Sequence, residues 1–198
     1  MVDLVDDLLN VSRLDMGTFI VDDKPIDLRK LMKSAIDENK SIIIEKKLKI
    51  EEKEEGDISE FLADEKLLRM IFQNLLSNAV KYTEPEGTIK VNIMNLNREN
   101  TFGERVLKED SLVFSVEDSG MGIPSQQQDK IFQKLFRADN AKESETEGTG
   151  LGLYVIKSIV DKAGGSIWFK SEQNKGTIFY VTFPISGMKM VDKKEVGS

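Results

Sequence analysis

The sequence predicts an α+β chain, a two-layer α/β sandwich in which helices cover one face of a mixed, mostly antiparallel sheet. Three observations predict it. Helical periods of three and four alternate irregularly with strand-like runs, rather than in a strict βαβ order. The last two strands, SIWFKSE and TIFYVTFP, follow each other across a tight connection at Asn174-Lys175-Gly176, which requires antiparallel pairing. Hydrophobic residues make up 39% and charged residues 32% of 198, a balance suited to a globular core rather than to disorder.

In chain order, Met1, Leu4, Val5, Leu8, Val11 and Leu14 form one stripe and predict a helix over 1–16, with Gly17 as its stop. Residues 18–28 read as extended, punctuated by Pro25. Leu28, Leu31, Met32, Ala35, Ile36, Ile42 and Ile43 predict a single amphipathic helix over about 28–46. LKIEEK (48–53) and SEFLA (59–63) read as strands around a Gly56-Asp57 turn. Asp64 stands at the N-cap position of a helix from 65 to about 82, and a turn at Pro85-Glu86-Gly87 leads to a strand near 88–95. Residues 96–110 read as a polar connection, and LVFSVED (112–118) as a strong strand. The segment 119–150 is long and polar, with a short amphipathic piece KIFQKLF, and segments of this length are usually functional or disordered. LGLYVIKSIVDKAG (151–164) predicts a helix ending at Gly164-Gly165.

The formal net charge of -7 argues against nucleic acid as a partner, because a phosphate backbone needs a basic face. It leaves room for a nucleotide ligand held by a few local cations. There is no cysteine, which excludes disulfides, zinc thiolates and thiol catalysis, and no histidine, so any imidazole chemistry must be borrowed. No apolar run approaches the roughly 20 residues of a membrane span, so no direct membrane contact is expected.

Three segments could carry chemistry. In FQNLLSNAVKYT (72–83), Asn74, Asn78 and Lys81 lie at spacings of four and three and share a helix face opposite the buried stripe. Two neutral oxygens and an ammonium there suit Mg²⁺ and the phosphates it bridges; a solvated helix face reads equally well from this segment alone. In VEDSGMGIP (116–124), an apolar strand runs into Asp118, Gly120 and Gly122, placing a carboxylate that can accept from an exocyclic amine beside backbone that a ligand can approach closely. In EGTGLGLYVIK (147–157), Gly148, Gly150 and Gly152 open directly onto a helix and so aim unpaired amides and the positive helix end at an anion. The last segment is neither a Walker loop nor a dinucleotide fingerprint.

The order and spacing of these three motifs resemble the histidine kinase branch of the Bergerat-type ATPases, over about residues 25–185. NLLSNAVKYT looks like the N box of that family, DSGMGIP its first Gly box, IFQKLFRAD its F box, GTGLGL its second Gly box and KGT (175–177) its last small motif. DLLNVSRLDMG resembles the end of the second helix of a dimerisation and phosphoacceptor domain. The resemblance implies a Bergerat ATP-binding fold over 18–186, a helix remnant over 1–17 and a tail over 187–198.

It also implies ATP as substrate with Mg²⁺. Asn78 would ligate the metal with Asn74 beside it, Lys81 would meet the phosphates, and Tyr82 would lie along the nucleotide. Asp118 would bind the adenine amino group, Gly120, Gly122 and Ile123 would shape its pocket, and Thr177 would support it. Gly148, Thr149, Gly150, Leu151, Gly152 and Leu153 would bring lid amides to the phosphates, with 138–149 as the lid. Phe132 and Phe136 would pack the lid, and Arg137 is a candidate for the γ-phosphate. Asn74, Lys81 and Arg137 form the expected catalytic set.

Members of this family phosphorylate a histidine on the dimerisation domain. The chain has none, so it reads as a fragment of a longer sensor, cytoplasmic, whose partners would be its own dimerisation domain (as a homodimer) and a response regulator receiver domain. Competing readings are a Bergerat-fold ATPase, which would need a glutamate base where Asn74 stands, an anti-sigma-type serine kinase, and a nucleotide-binding module without catalysis.

Overall fold

The computed structural model describes residues 22–56, 61–143 and 148–188. The expected helix over 1–16 and the tail beyond Met188 lie outside them.

Two aspartates start the long N-terminal helices. Asp27 accepts from Lys30 N ahead of α1 (Leu28–Glu38), and Asp64 accepts from Lys66 N and Leu67 N ahead of α3 (Glu65–Tyr82). Each carboxylate satisfies amides that have no partner inside the helix and sits at its positive end. The helix expected over 28–46 is broken. Asn39 donates from Nδ2 to the Ala35 carbonyl at 2.9 Å, while its own backbone N–H shifts to the Ile36 carbonyl. The side chain thus competes for the oxygen that would continue the ladder, and a separate short helix, α2 (Lys40–Glu45), follows. The new direction leaves Ile43 against the core but turns Ile42 outward, 45% exposed, contrary to the single-stripe reading.

Five strands form the main sheet in the order β2-β4-β7-β9-β8: β2 (Lys49–Glu55), β4 (Thr88–Leu96), β7 (Ser111–Asp118), β9 (Gly176–Pro184) and β8 (Ser166–Glu172). All neighbours are antiparallel except β2 with β4, which run parallel with Lys49 opposite Thr88. The two strands read around Gly56-Asp57 therefore do not pair with each other. The charged β2 takes the sheet edge, where its side chains remain solvated. β3 (Phe61–Ala63) instead pairs antiparallel with β1 (Lys24–Ile26), which turns Phe61 and Ala63 inward.

α3 lies across β7, flanked by α1 on one side and α5 (Gly152–Lys162) on the other. Its buried stripe, including Leu68, Phe72, Leu75, Leu76 and Ala79, meets the alternating Ile89, Val91 and Ile93 of β4 in one core. Phe72 stacks on Phe114 of β7 with ring centroids 4.3 Å apart. On the opposite sheet face, the segment expected as a plain polar connection folds a small hairpin, β5 (Thr101–Phe102) and β6 (Arg105–Val106). Phe102 lies edge-on to Trp168 and Tyr180, and Trp168 Nε1 donates to the Gly103 carbonyl. That cover explains why β7 is buried on both faces. Between β7 and α5 run a 3₁₀ turn, Ser125–Lys130, and a short helix α4 (Asp139–Glu143).

Candidate nucleotide site

The helical period of α3 separates its apolar stripe from Asn74, Asn78 and Lys81, and these three open onto a cavity of about 460 Å³ beside the helix. Asn78 donates from Nδ2 to Asn74 Oδ1 at 3.1 Å. The facing wall is the start of α5. A Cβ at Gly152 would sit 2.3 Å from Asn74 Nδ2, so any larger residue there would push the Asn74 carboxamide aside. The N-cap residue Leu151 makes no side-chain bond to the first turn of α5, and the positive end of the helix faces the cavity through Gly152 and Leu153. Gly148 marks where two cations converge: a Cβ there would lie 2.8 Å from Lys81 Nζ and 4.0 Å from Arg137 Nε. Arg137 is itself steadied by donating to the Ala141 carbonyl at 2.9 Å.

The other end of the cavity is built on the end of β7. Asp118 is 9% exposed and accepts at Oδ1 from Gly120 N at 2.8 Å and Thr177 N at 3.3 Å. Burial raises its pKa to about 6; the two amide donors hold it down, and the neighbouring Glu117 charge adds a small upward push. No cation pairs with it among the described residues, so it stands as a buried acceptor facing a cavity. The glycine loop beyond is tied on every side. Met121 N donates to the Tyr82 carbonyl, Asn174 N to the Met121 carbonyl, and Ile123 N to Ser171 Oγ. Gly122 has φ of +62° and its Cβ position lies 2.1 Å from the Glu172 carbonyl, so both conformation and space demand glycine.

Of the residues singled out in the sequence, Asn74, Asn78, Lys81, Tyr82, Asp118, Gly122, Ile123, Arg137, Gly148, Thr149, Gly150, Gly152, Leu153 and Thr177 line this one cavity. Gly120 and Leu151 do not. Gly120 acts from behind through its bond to Asp118, and Leu151 is buried, its amide donating to Thr149 Oγ1. Phe132 packs edge-on against Phe169 of β8 rather than against the lid, and Phe136 forms part of the cavity wall.

Sequence reasoning missed several contributors. Met121, Ile131 and Phe179 give the cavity its apolar wall. Asn140 donates to the Gly122 carbonyl at 2.8 Å and so clips the segment carrying Arg137 to the glycine loop. Gln128 donates from one amide to both the Ile123 and Ser171 carbonyls, and Ser171 Oγ lies 2.9 Å from Thr177 Oγ1. Only the run of polar residues between 125 and 140 could have signalled Gln128 and Asn140.

Among the described residues no cluster of three or more acidic, histidine or cysteine side chains could hold a metal on its own. The donors present fit a hard divalent cation that arrives with phosphate oxygens and takes a carboxamide oxygen from the protein. No helix among the described residues is long and apolar enough to cross a membrane.

The model of the histidine kinase-, DNA gyrase B- and HSP90-like ATPases matches residues 63–187. The circadian input-output histidine kinase CikA of Synechococcus elongatus is 34% identical over 187 residues, covering 93% of this chain and 23% of its own length. The chain spans between 23% and 44% of the length of its curated relatives CikA and SasA. Full-length ShkA, solved in complex with AMPPNP, superposes with a TM-score of 0.74 over 96% of this chain and 36% of its own, at 24% identity. The histidine kinase ThkA, solved in complex with the response regulator protein TrrA, gives 0.67 over 92% of this chain and 48% of its own, at 20% identity. At such identities these two likenesses are of fold. With the family model covering most of the chain, and histidine kinases as its relatives, the chain belongs to the histidine kinase-, DNA gyrase B- and HSP90-like ATPase family, as a catalytic domain of the sensor histidine kinase branch.

Proposed function

We propose that this chain binds Mg²⁺-ATP in the cavity between α3 and α5 and transfers the γ-phosphoryl group to a histidine borne by a dimerisation and phosphoacceptor domain. The observation that carries the reading is the polarity of the cavity. A buried, cation-free Asp118 stands at one end, and carboxamides, two cations and the positive end of α5 stand at the other. A purine with a triphosphate has the same polarity.

Each role follows from what the group can do. Asp118 accepts an N–H of the adenine amino group, with Thr177 beside it. Tyr82, Ile123 and Leu153 flank the nucleotide. Lys81, Arg137 and the first-turn amides of α5 offset phosphate charge as the transferring group loosens from ADP. Asn78 supplies a carboxamide oxygen to the metal and Asn74 braces it through their hydrogen bond. Asn78 and Asn74 would hold Mg²⁺, which would supply charge neutralisation to the transferring phosphoryl group. Of the expected lid over 138–149, residues 144–147 lie outside the described residues.

Asp118 is the only carboxylate lining the cavity among the described residues, and it stands at the purine end. A hydrolase needs a base near the γ-phosphate to activate water, and Asn74 occupies that region instead. This favours transfer over hydrolysis. The sequence has no histidine, so the acceptor imidazole comes from outside residues 1–198. The domain division at 17 and 186, a homodimeric parent, a cytoplasmic setting and a receiver domain as the next phosphoryl acceptor belong to the same proposal. The receiver domain is supported by the response regulator protein bound to ThkA.

Calorimetric titration with ADP, ATP and a non-hydrolysable analogue, with and without Mg²⁺, tests binding. Tighter binding of the triphosphates with Mg²⁺ is expected. Adding a histidine-bearing bundle from the parent kinase should then yield an acid-labile phosphoprotein from radiolabelled ATP. Absence of nucleotide binding, or steady phosphate release without transfer, would sink the reading.

A further inference from the structure

Lys46, directly after α2, reaches across to the end of α3. Its ammonium donates to the main-chain carbonyls of Lys81 at 2.8 Å, Thr83 at 2.9 Å and Val80 at 3.0 Å. Three N–H groups meet three acceptors, so the donor capacity of the side chain is filled, and no carboxylate pairs with it among the described residues. The remaining carbonyls of this turn are taken as well. Met121 N donates to Tyr82, and Thr83 donates to Ala79 through both its backbone N–H and its hydroxyl. A helix end normally leaves its last four carbonyls to solvent. Here every carbonyl from Ala79 to Thr83 has a protein donor, and one cation, placed at the negative end of the helix, serves three of them.

Lys46 is itself held over this turn. Glu86 N donates to the Lys46 carbonyl at 2.8 Å, and Lys49 N donates to the Gly87 carbonyl at 2.9 Å. The link from α2 into β2 is therefore strapped across residues 83–87. The turn that Lys46 grips carries Lys81 and Tyr82, both of which line the cavity, and through the Tyr82 carbonyl it also carries the glycine loop at Met121.

We propose that Lys46 is a positioning residue of the nucleotide site: by binding the last carbonyls of α3 it sets the direction in which Lys81 meets the phosphates. The inference rests on the nucleotide-binding reading above. It differs from a plain stabilising cap in predicting that Lys46 and Lys81 act as one unit.

A double-mutant cycle decides between them. Wild type, Lys46→Met, Lys81→Ala and the double variant are titrated with a non-hydrolysable ATP analogue and Mg²⁺, well below each melting temperature. Lys46→Met should weaken binding by roughly tenfold, but by less than about twofold when Lys81 is already alanine. A Lys46→Met protein that binds within twofold of wild type, or that loses the same factor whatever stands at 81, overturns the proposal. If Lys46→Met does not fold at the titration temperature, Lys46→Gln, which keeps two donors and loses the charge, enters the same cycle under the same criteria. A wild-type protein that binds no analogue defeats the nucleotide reading, and this inference with it. Normal wild-type binding with an additive cycle defeats the inference alone.

Discussion

Asn78 Nδ2 donates to Asn74 Oδ1 at 3.1 Å across one turn of α3, which fixes the Asn78 carboxamide on the cavity side of the helix and leaves its oxygen as the group to meet a cation. Asn78→Ala should therefore remove the Mg²⁺ dependence of triphosphate binding rather than binding itself. In titrations with and without Mg²⁺, the wild-type difference is expected to fall by roughly tenfold in the variant, with stability changed by no more than about 0.5 kcal/mol, because the side chain is not part of the core. An unaltered Mg²⁺ effect would remove Asn78 from the metal site.

Asp118 carries the sharpest pH signature. Its folded pKa of about 6 lies above the ordinary 3.8, so the folded state binds the proton more tightly than the unfolded one. The sign is opposite to that of a salt-bridged carboxylate. The charged group costs stability above pH 6, and the cost fades as pH falls from 6 through 3.8. A shift of this size corresponds to about 3 kcal/mol. Asp118→Asn should thus raise the melting temperature of the nucleotide-free protein at pH 8 and lose most of that gain near pH 4.5, while nucleotide affinity collapses at both. Wild-type affinity should also weaken as pH falls below about 6. Full affinity in the asparagine variant would contradict the adenine assignment.

Gly122 makes a different demand. Its φ of +62° and the 2.1 Å approach of a Cβ to the Glu172 carbonyl put conformational strain and a backbone clash on any substitution. Gly122→Ala should cost about 2–3 kcal/mol in chemical denaturation and loosen the loop that Asn140 and Ser171 hold. A variant as stable as wild type would show that this loop yields more easily than its bonds indicate.

How much of this could be read beforehand depended on the range of the interaction. The face shared by Asn74, Asn78 and Lys81 was legible because helical spacing alone brings them together. The N-caps at Asp27 and Asp64 and the β8–β9 connection are settled within a few residues. The single helix over 28–46 was misread because a neutral Asn at 39 gives no sign that its side chain will take the Ala35 carbonyl. The pairing of β2 was misread because sequence proximity suggested β3, whereas the pairing is parallel with β4, nearly forty positions away. Lys46 and Ser171 carry no local pattern, and the polar run at 125–140 that contains Gln128 and Asn140 does not disclose their partners at Ser171 and Gly122.

By itself, then, the amino-acid order determined the α+β class, the elements that bear the motifs and most of the groups that face the cavity. Those follow from backbone periodicity, glycine freedom and side-chain chemistry, all of which act over a few residues. Only the tertiary structure decided that Asp118 is buried without a cation, that Gly152 abuts Asn74, and that Lys46 grips the turn beneath Lys81. Desolvation, close approach and carbonyl capping depend on where distant segments come to rest, and that is set by packing of the whole core against the sheet.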